Sequence, residues 1–312
     1  MPAPDTFSQL AKALIKAYIS EPRSRANLLI LTLYGDTICP YGGTVWLGSL
    51  IKLLKPLGIN ERLVRTSVYR LSEQNILSSQ QQGRRSYYTL TARGLRQFNS
   101  AAKRIYAASP PAWDGKWHMV FTNLSDLDPQ QRESLRRELE WLGFSRLREG
   151  LHVHPTIDSA AVQSMLEDRE LQQHVALFDA AASGDQQAAI SNQLMSRCFD
   201  TRSTDEQYEA FMATYQPLLE AAQNSAELQL EYCFLVRTLL IHQYRYILLS
   251  EPELPPELLP EQAITLRARQ LVRQLYRLLT PQSDAYFLRT TESDNGSFSR
   301  PVEAYYQRFE TI

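Results

Sequence analysis

Apolar residues recur at helical spacing from the start of the chain. Phe7, Leu10, Leu14 and Tyr18 fall together while Lys12 and Lys16 point elsewhere, which predicts an amphipathic helix ended by Glu21-Pro22. The apolar stretch 26–33 predicts a short buried helix, and Gly35-Asp36 with Cys39-Pro40-Tyr41-Gly42-Gly43 predicts a loop after it. Thr44 reads as the cap of a second helix to about Lys55, Gly58 as the glycine that ends it, and Asn60 as the cap of a third helix to about Gln74. Two helices across a tight glycine-containing turn make a helix-turn-helix. The period then changes to two: Ile76–Gln80 and Tyr87–Leu90 flank Gln82-Gly83-Arg84-Arg85, a hairpin with a basic tip. Thr91 caps a further helix with Leu95, Phe98, Ala102 and Ile105 on one face, and Ser109-Pro110-Pro111 is a linker.

Beyond the linker, 117–124 reads as a strand, Asp128 as the cap and Pro129 as the first residue of a helix to Leu142, and 147–154 as a second strand. This strand-helix-strand pattern predicts a small α+β domain to about residue 175. Helices are clearest after that at 205–222, 226–249 and 261–279, with Pro252, Pro255, Pro256 and Pro260 between the last two. The predicted class is α+β, mostly helical. It comprises a winged helix-turn-helix domain at 1–110, an α+β domain at 111–175 that is a candidate for dimerisation, and a helical domain at 176–312 that is a candidate for effector sensing.

Charge sharpens this picture. The net charge of −1 hides a first segment, 1–112, with 15 Lys+Arg and 5 Asp+Glu, a balance of +10, joined to a remainder at −11. A basic head on an acidic body points to a polyanion partner for the head alone. The three cysteines, Cys39, Cys198 and Cys233, have no metal-ligand spacing, and no apolar run approaches the roughly 20 residues that span a bilayer. The sequence has no apolar stretch of the signal-peptide kind, so a cytoplasmic protein without a membrane partner or cofactor is expected.

On the third helix Val64, Val68 and Leu71 form the packing side, with Leu63 and Ser67 at its margin, which leaves Arg62, Thr66 and Tyr69 opposite and Arg65 and Arg70 beside them. Long guanidiniums, a hydroxyl and an aromatic near a helix N-terminus suit the major groove, where arginine donates two parallel bonds to guanine. The candidate DNA contacts are therefore Asn60, Arg62, Arg65, Thr66, Ser67, Tyr69 and Arg70 from the helix, with Arg84, Arg85 and Tyr87 from the hairpin. The competing reading is an ordinary amphipathic surface helix with solvated arginines.

At this point the chain resembles the PaaX family, the phenylacetic acid degradation repressors. The resemblance rests on Leu33-Tyr34-Gly35-Asp36, Gly42-Gly43-Thr44-Val45-Trp46-Leu47, Val64-Arg65-Thr66-Ser67-Val68-Tyr69-Arg70-Leu71 and Gly83-Arg84-Arg85-Ser86-Tyr87-Tyr88. It continues through Leu90-Thr91 before Gly94, Arg104-Ile105-Tyr106, Leu142-Gly143-Phe144 and Leu254-Pro255-Pro256-Glu257-Leu258-Leu259-Pro260. The resemblance implies a GntR-like winged helix, a central ferredoxin-like domain similar to Cas2 and a helical C-terminal domain. It also implies a homodimer that binds a double-stranded operator, represses phenylacetate catabolic genes and is released by the thioester phenylacetyl-CoA.

For the effector, Arg237, His242 and Arg245 interrupt the apolar segment 226–249, and a buried charge must find a carboxylate, solvent or an anionic ligand. Arg269, Arg273 and Arg277 form a second basic stripe suited to phosphates. Internal pairing for the first set and a solvated face for the second are the alternatives. No GxSxG, HExxH or GxxxxGK[ST] signature occurs, so no enzyme is expected. His152 and His154 share a strand face at a spacing that suits a metal pair, but no nearby carboxylate or cysteine completes it, and they read as exposed strand histidines. The alternative function is a Cas2-like metal-dependent nuclease or RNA-binding protein using Asp126 or Asp128, although Asp128 is equally explained as a helix cap.

Overall fold

The computed structural model describes residues 6–20, 26–122, 127–157, 159–168, 170–181, 187–199, 202–250, 254–260, 263–294, 296, 298 and 300–310. Its contacts divide the chain into two compact units, one of residues 1–109 with 208–248 and 267–312, the other of 110–207 with 249–266. The C-terminal helices thus share a unit with the basic N-terminal segment. This differs from the expected partition at 110 and 175, because long apolar helices need a partner core and sequence adjacency does not say which one they find.

In the first unit α1 (Thr6–Ser20) and α2 (Ala26–Leu33) follow the apolar pattern. The expected loop after α2 is instead a π-helical turn, Tyr34–Ile38, and a 3-10 turn, Cys39–Tyr41. Tertiary packing overrides the turn residues here: every side chain from Tyr34 to Ile38 is buried. Gly35 is needed for close approach, since a Cβ on it would lie 1.9 Å from the Phe98 ring. Thr44 does not cap a helix. It opens β1 (Thr44–Trp46), where its hydroxyl lies 2.6 Å from that of Thr89.

α3 (Leu47–Leu54) follows, and Gly58 at φ 77° turns the chain toward α4 (Glu61–Glu73), whose first turn is capped by Asn60 Oδ1 accepting from Leu63 N at 2.9 Å. β2 (Leu77–Gln82) and β3 (Arg85–Leu90) form the hairpin, and β1 joins them in an antiparallel sheet of order β1-β3-β2. α5 (Ala92–Ile105) is capped by Thr91, which accepts from Gly94 N at 3.1 Å. Leu95, expected on the packed face of α5, is 44% exposed.

The second unit has the order strand, helix, two strands, helix, strand: β4 (Trp117–Phe121), α6 (Pro129–Trp141), β5 (Ser145–Arg148), β6 (Leu151–His154), α7 (Ser159–Asp168) and β7 (Ala176–Ala180). The sheet order is β5-β6-β4-β7 with every neighbour antiparallel, the ferredoxin-like arrangement. The stretch 147–154, read as one strand, is the end of a hairpin: Gly150 at φ 75° lets the chain reverse between β5 and β6. β7 lies beyond the expected boundary at 175 because its alternation is weak, its pattern running from half-buried through exposed positions.

One face of this sheet packs Val120 with Leu135 and Leu139 of α6 and Val162 and Leu166 of α7. On the other, Trp117 and Val153 meet Met195 of α8 (Gln187–Cys198) and Leu258. Alternation along β6 puts His152 and His154 on the face opposite Val153. Both are buried, at 4% and 5% exposure, and are not the exposed pair the sequence suggested. His154 lies edge-on to Phe144 at 5.5 Å and its Nδ1 accepts from Thr156 N at 3.0 Å.

The chain returns to the first unit along α9 (Arg202–Gln223), then α10 (Leu230–Leu248), which packs on α1, α2 and α5. α11 (Ile264–Thr290) continues past the expected stop at Leu279, through Pro281. Leu275, Leu279, Ser283 and Phe287 extend one buried stripe across the proline, and this burial offsets a backbone penalty of about 3 kcal/mol. α12 (Glu303–Tyr306) ends the unit. Phe7, Phe234, Phe287 and Phe309 are all fully buried, each contributing about 1.5–3 kcal/mol by leaving water.

Candidate nucleic-acid interface

The side chains of α4 separate cleanly. Val64, Ser67, Val68 and Leu71 are buried, and α4 packs on α2 and α3. Arg62, Arg65, Thr66, Tyr69 and Arg70 are exposed, Tyr69 by 64%. Tyr69 adds an aromatic ring to the exposed side of the helix, one of several large apolar side chains exposed among the described residues. Arg62 and Arg70 have no carboxylate partner among the described residues, whereas Arg65 pairs with Glu61 one turn back at 2.7 Å. The Thr66 hydroxyl donates to Arg62 O at 2.9 Å, leaving its lone pairs outward.

Ser67 and Tyr87, both in the sequence-derived contact set, are 2% and 6% exposed. Ser67 belongs to the packing side of α4, and Tyr87 takes the buried position of β3, whose other side chains are exposed or half-buried. Asn60 is committed to its cap. Ser67 and Tyr87 therefore support the surface from beneath, whereas Asn60 is exposed at the start of α4 with its Oδ1 taken by the cap.

At the hairpin tip Gly83 takes φ 60°, and the next two arginines have different fates. Arg84 is exposed and has no ion pair among the described residues. Arg85 is held: its NH1 lies 2.5 Å from Glu292 Oε2, its guanidinium stacks 4.5 Å from the Trp46 ring, and it donates to Tyr87. Glu292 is itself fixed, its N donating to Ser49 Oγ at 3.0 Å and its carbonyl accepting from Trp46 N at 3.1 Å. Glu292, two residues past the end of α11, thus clasps the start of α3 and the base of the tip, a contact no local pattern announces.

The effector candidates are scattered and mostly satisfied internally. Arg237 is fully buried, with NH1 donating to Asp284 Oδ1 at 2.8 Å and Tyr305 OH at 2.9 Å, Nε 3.2 Å from Asp36 Oδ2, and NH2 donating to Thr37. Arg308 completes this cluster: NH1 reaches Asp36 O at 2.7 Å and Tyr276 OH at 2.8 Å, and its plane lies 3.9 Å from the Tyr106 ring. Burial pushes the Tyr276 hydroxyl up to about 12, so it stays protonated. Two arginines and two aspartates make a neutral group that ties the π-helical turn to α10, α11 and the C-terminal segment.

Arg269 is also buried and donates to the carbonyls of Arg104 and Ala107 at 3.2 and 3.0 Å. Arg277 bonds Phe309 O at 3.2 Å, so 269, 273 and 277 do not present one open stripe. Arg273 is half-buried. His242 Nδ1 and Arg245 NH1 both meet Thr32 Oγ1, at 3.0 and 3.1 Å. Asp36 and Arg308 were missed at the sequence level. The signal available for the first was a lone carboxylate inside an apolar run, which must be paired if buried.

Asp128 caps α6, its Oδ1 accepting from Gln130 N and Gln131 N at 2.8 Å each, and Asp126 lies outside the described residues. No group of three or more His, Cys, Asp or Glu side chains suited to a metal ion occurs among the described residues. No described helix is long and apolar enough to cross a membrane.

Comparison with known proteins follows this architecture along most of the chain. Family models match in sequence order: the PaaX-like protein at residues 25–94, the PaaX protein central Cas2-like domain at 110–191 and the PaaX-like protein C-terminal domain at 199–289. The chain is 36% identical over 282 residues to the transcriptional repressor PaaX of Escherichia coli (strain K12), covering 90% of this chain and 89% of that protein. The fold is similar to that of the uncharacterised protein Rv0674 from Mycobacterium tuberculosis, with a TM-score of 0.51 and 21% identity across 76% of this chain and 89% of that one. With three consecutive family models and a near full-length relative in agreement, the chain belongs to the PaaX family.

Proposed function

We propose that the protein is a cytoplasmic transcriptional repressor that binds duplex DNA as a homodimer through a winged helix-turn-helix. α4 is the recognition helix and the β2–β3 hairpin the wing. The carrying observation is the exposed face of α4: Arg62, Arg65, Thr66, Tyr69 and Arg70 stand out from a helix whose opposite side is buried, within a segment of +10. Similarity to a transcriptional repressor supports the regulatory sense of the binding. Arg62, Arg65 and Arg70 are assigned to base edges and phosphates in the major groove, and Arg84 to the flanking backbone or minor groove.

Two copies related by a twofold axis require half-sites separated by about 10–10.5 bp or a multiple of that. We assign repression to phenylacetate catabolic genes and release to phenylacetyl-CoA, on the family membership. The test is a titration of the protein's own promoter DNA with and without phenylacetate or phenylacetyl-CoA. The thioester should release the DNA and the free acid should not; if neither does, the effector assignment fails while the DNA-binding assignment stands on its own titration.

A further inference from the structure

Arg245 differs from the buried arginines of the first unit. Arg237 and Arg308 have carboxylates, and Arg269 has two backbone carbonyls. Arg245 has one neutral partner, the Thr32 hydroxyl at 3.1 Å, and no carboxylate among the described residues. Burial lowers its pKa, with no carboxylate opposing the effect. The side chain is partly exposed, so the guanidinium keeps donors that water, or a ligand entering from solvent, can reach, and it has no counter-charge among the described residues.

The guanidinium borders a cavity of about 110 Å³ whose walls include Leu31, Ile76, Leu90, Phe98, Ala101 and Ile241. Asp36, the carboxylate in the lining, is already engaged by Tyr106 OH at 2.8 Å and by Arg308 and Arg237. The Thr32 hydroxyl donates to Leu28 O at 2.9 Å, so it meets Arg245 as an acceptor. The remaining N–H groups of Arg245 have no assigned acceptor among the described residues. An apolar chamber with one unneutralised fork of donors at its wall suits one kind of ligand.

We infer that this cavity is a binding site for a small monocarboxylic acid with a compact apolar body, its carboxylate paired with Arg245 and its body among Leu31, Phe98 and Ile241. An engineered cavity of about 150 Å³ lined by apolar side chains takes benzene, so this smaller chamber holds a shorter body, of about four carbons. A carboxylate matches the guanidinium fork with two parallel hydrogen bonds, which a neutral isostere does not provide. A coenzyme A thioester is too large and presents no carboxylate at its acyl end, so this site is separate from the effector assignment above. Ile76 and Leu90, at the base of the hairpin, belong to the same wall.

Calorimetric titration of the full-length protein with butyrate and butyramide tests the assignment without reference to DNA. Butyrate should bind, butyramide should bind about tenfold or more weakly, and Arg245→Gln should bring butyrate down to the butyramide level. Ala101→Leu, which fills the chamber and leaves the guanidinium in place, should abolish both and guards against a folding defect in the arginine variant. Equal affinity for acid and amide, unchanged binding in Ala101→Leu, or no butyrate binding at millimolar concentration overturns the inference.

Discussion

Replacing Arg237 with methionine separates a structural role for this arginine from the ligand role that its place in an apolar helix first suggested. The side chain is fully buried and carries one charge of a neutral set, Arg237 and Arg308 against Asp36 and Asp284. Removing one partner of a buried pair costs about 3–5 kcal/mol because the other charge is left uncompensated. The loss here belongs at the lower end. Asp36 keeps Tyr106 OH at 2.8 Å and Arg308 at 3.3 Å, and Asp284 keeps Tyr305 OH at 2.7 Å. About 3 kcal/mol is expected, and at roughly 2–4 °C per kcal/mol for a unit of this size the melting midpoint of the first unit falls by roughly 6–12 °C. Scanning calorimetry of Arg237→Met, Asp284→Asn and the double variant measures this. The double variant should recover part of the sum, since it restores neutrality. Unchanged melting in Arg237→Met, with an altered effector response, would refute the structural assignment.

Glu292→Gln should free Arg85 from its clasp, raise affinity for any duplex several-fold, and steepen the slope of log affinity against log salt by about 0.9 if the arginine reaches a phosphate; an unchanged slope measured by fluorescence anisotropy would count against a wing contact. Gly94→Ala places a Cβ 2.5 Å from the Ile76 carbonyl, a backbone atom that cannot swing aside. It should therefore destabilise by about 1–3 kcal/mol in urea, and a neutral result would mean that α5 and the hairpin base separate easily. Burial lowers the pKa of His152 below its ordinary 6.5, and neither ring nitrogen has a hydrogen-bond partner among the described residues. The neutral ring is favoured in the folded state, so its contribution is complete above the unfolded value and is lost as pH falls below about 6.5 toward the depressed value. Stability measured from pH 8 to 5 should show an acid limb that flattens in His152→Phe, and identical limbs would exclude this histidine as a cause.

Local rules made most of the basic N-terminal segment readable in advance. Caps act over three residues, so Asn60 and Thr91 were identifiable, and the split between Val64, Val68 and Leu71 and the arginines of α4 followed from helical period alone. Errors arose where distant chain decides. Thr44 has the chemistry of a cap, yet pairing with Thr89 on β3 makes it a strand residue. Gly35 and Asp36 look like turn formers, but Phe98, Tyr106 and Arg308 close over them. Glu292 meets Arg85 across 207 residues of sequence, beyond the reach of any periodicity. Arg237 was flagged as a charge needing a partner, but which carboxylate it finds is set by how α10, α11 and the π-helical turn pack.

The central claim is that the exposed face of α4 reads DNA, and equilibrium binding to the protein's own promoter duplex at defined salt, compared with a scrambled duplex, tests it most directly. Arg62→Ala, Arg65→Ala and Arg70→Ala should each lose about 1–3 kcal/mol on the promoter wherever the residue contacts a base, with a smaller loss on the scrambled sequence, while Arg84→Ala weakens both alike. Promoter affinity unchanged across all four variants, or no binding of either duplex by the intact protein at low ionic strength, would contradict the account.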